Sequence, residues 1–274
     1  LIPQGHVMSE SEAAGQTIPD GDYWIANRLY PRYCIDINGA DLDTANGTNV
    51  QMWQSGVSGY DWPSIYDVFT VKYKGNGFYT IAQKGTNQYL DLQDGSLSCG
   101  ANVQTWAEAG INQEWSIEVT ELGYRLRSRA NSFVMDVPGS VLENGRNLQT
   151  WESNNTDGQF FVFIPYTDKQ LIEDGVYTIA SDFWGIVDAE GTTGSYTAGT
   201  YIQNWDETSG DTFRFEYVSD GYYKIYETSS GLALNAQNGP DGNYISRTGR
   251  ITLEKPEKLL RQLWAVVPTG DDTY

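Results

Sequence analysis

The sequence predicts an all-β protein built from repeated units of about four short strands. Three observations carry this. A turn followed by aromatic–x–Ile/Leu recurs along the chain, at Tyr23, Tyr79, Tyr124, Tyr177 and Tyr223, in steps of 56, 45, 53 and 46 residues. Each recurrence opens a run of short alternating apolar segments separated by Gly-bearing turns, the two-residue period of strands. Aromatic content is 14% with 29 glycines, the profile of many strands and tight turns rather than of helical bundles.

Within each unit the elements follow in order. The aromatic strand comes first (GDYWI, GFYTI, GYRL, GVYTI, GYYKI). A second strand carries an acid or amide 11 to 13 residues later: Asp36, Asp91, Asp136, Asp188 and Asn235. A turn then leads to a third strand, NVQMW, NVQTW, NLQTW and YIQNW, ending at Trp53, Trp106, Trp151 and Trp205. In the fifth unit this element degenerates to NYISRT, which places Ser246 and Thr248 at the Gln and Trp positions. A fourth strand closes each unit with a large aromatic, Phe69, Trp115, Phe161, Phe213 or Trp264, expected in the core. Four strands per repeat would also suit a propeller blade, but five copies is a low count for a propeller.

The repeated Gln-x-Trp is the more specific signal. Gln51–Trp53, Gln104–Trp106, Gln149–Trp151, Gln203–Trp205, Gln113–Trp115 and Gln262–Trp264 stand in register with the Tyr and Asp positions. In this the chain resembles the ricin B-chain-like β-trefoil lectins and the related carbohydrate-binding modules of glycosidases, over nearly all of residues 20–268. The resemblance implies that three repeats close one trefoil, six strands forming a barrel and three hairpins capping it. The expectation is therefore tandem β-trefoils, the second lacking its third repeat. Residues 1–19 are read as a tag remnant and flexible arm, 20–167 as a complete trefoil with a linker over Ile164–Asp174, and 168–274 as an incomplete one. Tyr274 lies 51 residues after Tyr223, so a sixth repeat is expected to follow in the parent chain.

The same resemblance implies the site chemistry. A flat aromatic packs on the C–H face of a pyranose, and a carboxylate accepts hydrogen bonds from vicinal hydroxyls. Repeat two has all four expected residues: Asp91 to accept two hydroxyl protons, Gln104 to orient it or touch the ligand, Trp106 to stack and Asn112 to bond a further hydroxyl. Repeat one keeps Asp36, Gln51 and Trp53, with Tyr66 at the Asn position. Repeat three keeps Asp136, Gln149 and Trp151, with Gly158 there and Asn154 or Asn155 as substitutes. Repeat four keeps Asp188, Gln203 and Trp205, with Gly210. Repeat five, with Asn235, is expected to be silent. The alternative for each Asp is a carboxylate that caps a turn, and Gln113 is expected to be a buried structural residue. One such site binds at roughly millimolar affinity, and several on one chain raise avidity.

The remaining features bound the function. The net charge of −19 disfavours nucleic acid and anionic membrane surfaces as partners and favours solubility. No run of 18 apolar residues suggests membrane insertion. Cys34 and Cys99 occupy non-equivalent positions, which implies two thiols rather than a bridge. His6 is the single histidine, so His-dependent triads and most zinc sites are not expected, and no cofactor or metal is implied. The carboxylates are spread one per unit, whereas a glycosidase faces two across a cleft. The reading is a non-catalytic, multivalent glycan-binding chain, secreted or cell-surface, for galactose or N-acetylgalactosamine as the resemblance implies. A protease-inhibitor-like trefoil and the targeting part of a larger secreted enzyme or toxin are the alternatives.

Overall fold

The computed structural model describes residues 5–8, 15–39, 45–54, 67–107, 110–180, 185–205, 210–237, 250–258 and 260–266. It divides into two compact units, residues 1–166 and 167–274.

The first unit contains β1 (Gly21–Asn27), β2 (Tyr33–Ile37), β3 (Val50–Gln54), β4 (Val68–Gly75), β5 (Phe78–Gln83), β6 (Tyr89–Leu92), β7 (Ala101–Trp106), β8 (Glu114–Thr120), β9 (Gly123–Ser128), β10 (Val134–Asp136), β11 (Arg146–Asn147), β12 (Gln149–Trp151) and β13 (Phe161–Tyr166). Six of them form a closed antiparallel ring. β1 pairs with β4, β4 with β5, β5 with β8, β8 with β9, β9 with β13, and β13 returns to β1 over Asp22–Asn27. Closure leaves no free barrel edge. The hairpins β2–β3, β6–β7 and β10–β12 are the three caps. This is a β-trefoil of three lobes, one per sequence repeat.

The closing aromatics build its core. Phe69, Trp115 and Phe161 are fully buried and cluster with Ile35, Leu90 and Met135. Trp115 also donates its indole N–H to the Leu90 carbonyl (3.0 Å), which satisfies the buried polar end of the ring. Where β1 and β13 meet, Tyr23 and Phe163 pack edge to face with centroids 5.7 Å apart.

The second unit runs β14 (Gly175–Tyr177), β15 (Ile186–Ala189), β16 (Ile202–Trp205), β17 (Phe213–Ser219), β18 (Tyr222–Glu227), β19 (Ala233–Ala236), β20 (Ile251–Glu254) and β21 (Trp264–Ala265). Its pairings reproduce those of the first two lobes: β14 with β17, β17 with β18, β18 with β21, and caps β15–β16 and β19–β20. Among the described residues β14 pairs only with β17. Tyr177 and Thr178 lie open where their counterparts Tyr23 and Trp24 are buried against β13.

Three sequence expectations are corrected. Residues 15–19 are not a loose arm: Ile18 sits in the barrel core, and the Thr17 and Ile18 amides donate to the Tyr79 hydroxyl (2.5 and 3.1 Å). Residues 5–8 are also docked, with Met8 buried and its amide on the Arg129 carbonyl. The linker is shorter than 164–174, because Ile164–Tyr166 finish β13 and Leu171–Ile172 repeat the plug against the Tyr223 hydroxyl (2.7 Å each). In the fifth lobe the third strand is β20, not NYISRT. Asn235 pairs with Thr252, where Asp91 pairs with Gln104, and buried Leu253 sets this register. Ser246 and Thr248 lie outside the described residues.

Replacing Tyr79 with Phe strips two plug amides of their acceptor. The expected cost is about 1–3 kcal/mol, read by urea unfolding; an unchanged midpoint contradicts the plug.

Candidate functional site

In lobes one to four the second and third strands pair so that the acid faces the glutamine. Asp36 is opposite Gln51, Asp91 opposite Gln104, Asp136 opposite Gln149 and Asp188 opposite Gln203. The strand period of two then places the tryptophan on the same face as the glutamine. In every case the glutamine amide donates to the carboxylate: Gln51 to Asp36 (2.6 Å), Gln104 to Asp91 (3.0 Å), Gln149 to Asp136 (2.9 Å) and Gln203 to Asp188 (3.3 Å). Trp53, Trp106, Trp151 and Trp205 are 44%, 40%, 38% and 43% exposed, unlike fully buried Trp115.

The carboxylates are more engaged than the sequence suggests. Asp91 is 3% exposed; it accepts Gln104 on one oxygen and Gln113 on the other. Two glutamine amides clamp the carboxylate expected to accept two hydroxyl protons, and each oxygen keeps one lone pair beyond those bonds. Gln113 is itself buried and also accepts the Gly110 amide (2.8 Å). Burial pushes the Asp91 carboxyl up from its ordinary value, against the two glutamine bonds. Asn112 lies over the turn after β6: a Cβ on Gly95 would come within 2.9 Å of its Oδ1.

Lobe three carries a cavity of about 490 Å3, within the range of small-molecule sites. Asp136, Gln149, Trp151, Asn154 and the turn Pro138–Ser140 line it. Asp136 is clamped like Asp91, by Gln149 and by Gln159 (3.0 Å). Gly158 stands where lobe two has Asn112, and the change is reciprocal. Ser140 replaces Gly95, and its hydroxyl accepts the Gly158 amide (2.9 Å). The side chain that fills the space comes from the opposite turn. Asn154 has its Oδ1 held by Thr156 (2.8 Å), which fixes the amide at the cavity edge. Asn155 instead accepts a bond from Arg125 (3.1 Å).

Lobes one and four differ at the residue two before the closing aromatic. Lobes one and four have Asp67 and Asp211 where Gln113 and Gln159 stand. Asp211 caps the Ala189 amide (2.9 Å) and takes the Thr193 hydroxyl, while its own amide donates to Asp188 (3.3 Å). Asp67 is buried, and Tyr66 lies outside the described residues. A Cβ on Gly210 would meet Ile186 at 2.5 Å, so no larger residue fits there. In lobe five the Asn235 carbonyl is taken by Arg261 (2.9 Å), its amide faces Thr252, and Glu254 occupies the tryptophan position. Among the described residues of lobe five no aromatic platform forms. Both cysteines are unbridged. Among the described residues no cluster of three His, Cys, Asp or Glu could hold a metal.

The sequence reading missed the Pro138–Ser140 turn and Thr156, which show no residue pattern shared by all lobes. It also missed a glycine four residues before each motif glutamine, at Gly47, Gly100, Gly145 and Gly199, which was legible.

Comparison with known proteins places this geometry. Residues 66–151 match the family described as ricin-type beta-trefoil lectin domain-like. The chain is similar to Pierisin from Pieris brassicae, 25% identical over 270 residues, covering 94% of this chain and 30% of that protein. It is similar in fold to a mosquitocidal holotoxin, with TM-score 0.51 and 14% identity, covering 92% of this chain and 35% of that one. An agglutinin from Rhizoctonia solani aligns with 56% of this chain and 99% of its own, with 21% identity and TM-score 0.46. The chain thus spans about a third of the length of the first two.

A carbon-13 carboxyl titration should find Asp91 above the ordinary 3.8. With the folded value raised, its contribution to stability is full below the unfolded value and is lost as the pH rises through the raised one. Titration at or below 3.8 contradicts the clamped, buried carboxylate.

Proposed function

We propose that this chain, which carries a ricin-type β-trefoil lectin-like domain over residues 66–151, is a non-catalytic glycan-binding part that recognises sugars through its lobes. The observation that carries the reading is the lobe-three cavity, where a half-exposed indole, a carboxylate and two side-chain amides converge. The indole supplies an apolar face for sugar C–H groups. Asp136 offers its remaining lone pairs, and Asn154 supplies an amide at the edge. Lobe three ranks above lobe two, because a cavity there brings its carboxylate, indole and Asn154 together. Lobes one and four are lesser sites, and lobe five is silent because Arg261 already holds Asn235.

The sugar class taken is galactose or N-acetylgalactosamine, the preference implied by the sequence resemblance. Each lobe holds it at roughly millimolar affinity, and avidity across lobes supplies useful strength on glycan-bearing surfaces outside the cell. The second unit is read as the first two lobes of a further trefoil. Alignment of nearly the whole chain with only about a third of two longer proteins, one of them a holotoxin, supports reading it as the recognition part of a longer polypeptide.

Titration of the chain with N-acetylgalactosamine and galactose, followed by NMR, tests this. Asp136→Ala and Trp151→Ala should each weaken lobe-three binding about tenfold or more, by analogy with losing a charge-assisted bond or a stacked ring. Binding that survives both changes, or a wild-type glycan array without hits, refutes the reading.

A further inference from the structure

The three exposed tryptophans of the first unit are each backed by a loop from another lobe. The loop between β2 and β3 of lobe one reaches lobe two. Gly47, at φ 84°, donates its amide to the Thr105 carbonyl (2.7 Å), and its Cα faces the Trp106 ring; a methyl group added there would lie 3.8 Å from Cζ3. Gly100 of lobe two, at φ 86°, donates to Thr150 (2.8 Å), and a methyl on it would lie 3.2 Å from the Trp151 ring. Gly145 of lobe three, at φ 80°, donates to Met52 (3.0 Å), and its methyl would lie 3.9 Å from Trp53. The left-handed backbone favours glycine at all three points; a methyl group would press on the ring at Gly100 and make ordinary contact with it at Gly47 and Gly145.

The residue before each glycine completes the contact. The Asn46 Oδ1 accepts the amide of Ala107, the residue after Trp106 (2.8 Å), and also the Gln88 side chain (3.1 Å). The Asn144 Oδ1 accepts the amide of Gln54, the residue after Trp53 (2.7 Å). Cys99 holds this position in lobe two. The second unit supplies a contrast. Gly199 donates to Leu253 (2.8 Å) of lobe five, so the loop contact persists, but lobe five has Glu254 in place of tryptophan and the loop has Ala198 in place of asparagine. An asparagine acceptor stands in two of the three loops that back an indole and is missing from the loop that backs none.

We infer that Asn46 and Asn144, with the glycines that follow them, are positioning residues for the indole of the next lobe, so that each proposed sugar site of the first unit is built in part by its neighbour, in the cyclic order one to two, two to three, three to one. This rests on the glycan-binding reading for its functional consequence but not for its structural one. None of the loop residues lines the lobe-three cavity; the loop acts from behind the ring. It fixes the chain just past the tryptophan, and so the tilt of the surface presented to a sugar.

The test is crossed between lobes. Asn46→Ala and Asn144→Ala, with Asn46→Asp as a variant that keeps an acceptor, are compared by the indole N–H resonances of the full chain, assigned by single Trp→Phe changes. Asn46→Ala should move the Trp106 resonance and leave Trp53 in place; Asn144→Ala should do the reverse; Asn46→Asp should restore Trp106. In an N-acetylgalactosamine titration Asn46→Ala should weaken the lobe-two response about two- to tenfold, the worth of one hydrogen bond, and leave lobe three unchanged. An unmoved Trp106 in Asn46→Ala, a response at Trp53 instead, or no recovery in Asn46→Asp overturns the inference. Resonance shifts that follow the crossed pattern in a chain that binds no N-acetylgalactosamine uphold the clamp and remove the glycan reading alone.

Discussion

The pairing register of one hairpin, repeated lobe by lobe, is the constraint on which the sites depend. Opposing an aspartate and a glutamine across two antiparallel strands brings amide and carboxylate within hydrogen-bonding distance. The pleat then places tryptophan on the face of the glutamine. A slip of one residue would turn all three to the other side and put Leu90, Leu92 and Val103 where they stand. Because those apolar residues are fully buried, core packing and site assembly enforce the same register. The shifted third strand of lobe five obeys the rule: Leu253 decides the alignment, and the polar residues follow.

That arrangement explains why the carboxylates are both buried and useful. An unpaired carboxylate at the exposure of Asp91 would be costly, and the glutamine bonds offset part of the desolvation. The clamp also fixes the direction of the remaining lone pairs. Lobes two and three use two glutamines. Lobes one and four carry Asp67 or Asp211 instead, and in lobe four the second acid is spent on a backbone amide. The repeats are thus one hairpin with several ways of completing it, and their pockets are not equivalent.

Closure supplies the second level of order. In the first unit β13 returns to β1, and the loops pass contacts around the ring in one direction. Each lobe therefore depends on another for the back of its tryptophan. The second unit reproduces the pairings of two lobes, including the plug at Ile172 and the loop at Gly199, and leaves the outer side of β14 without a described neighbour.

Much of this was legible in the sequence, because strand period, turn glycines and the spacing of Tyr, Asp and Gln-x-Trp are local. They determined the repeat, the all-β class, the inward closing aromatics and which acid faces which glutamine in four lobes. Only the tertiary structure decided what depends on distant partners. It showed that Gln113 and Gln159 clamp the aspartates, that Ser140 fills the space of Asn112 from across a turn, and that residues 15–19 plug the barrel. It also showed that glycines of one lobe back the indole of the next. The physical reason is that hydrophobic alternation sets the face of a side chain within its own strand, whereas burial of a carboxylate and the tilt of a ring are set by groups brought in from elsewhere along the chain.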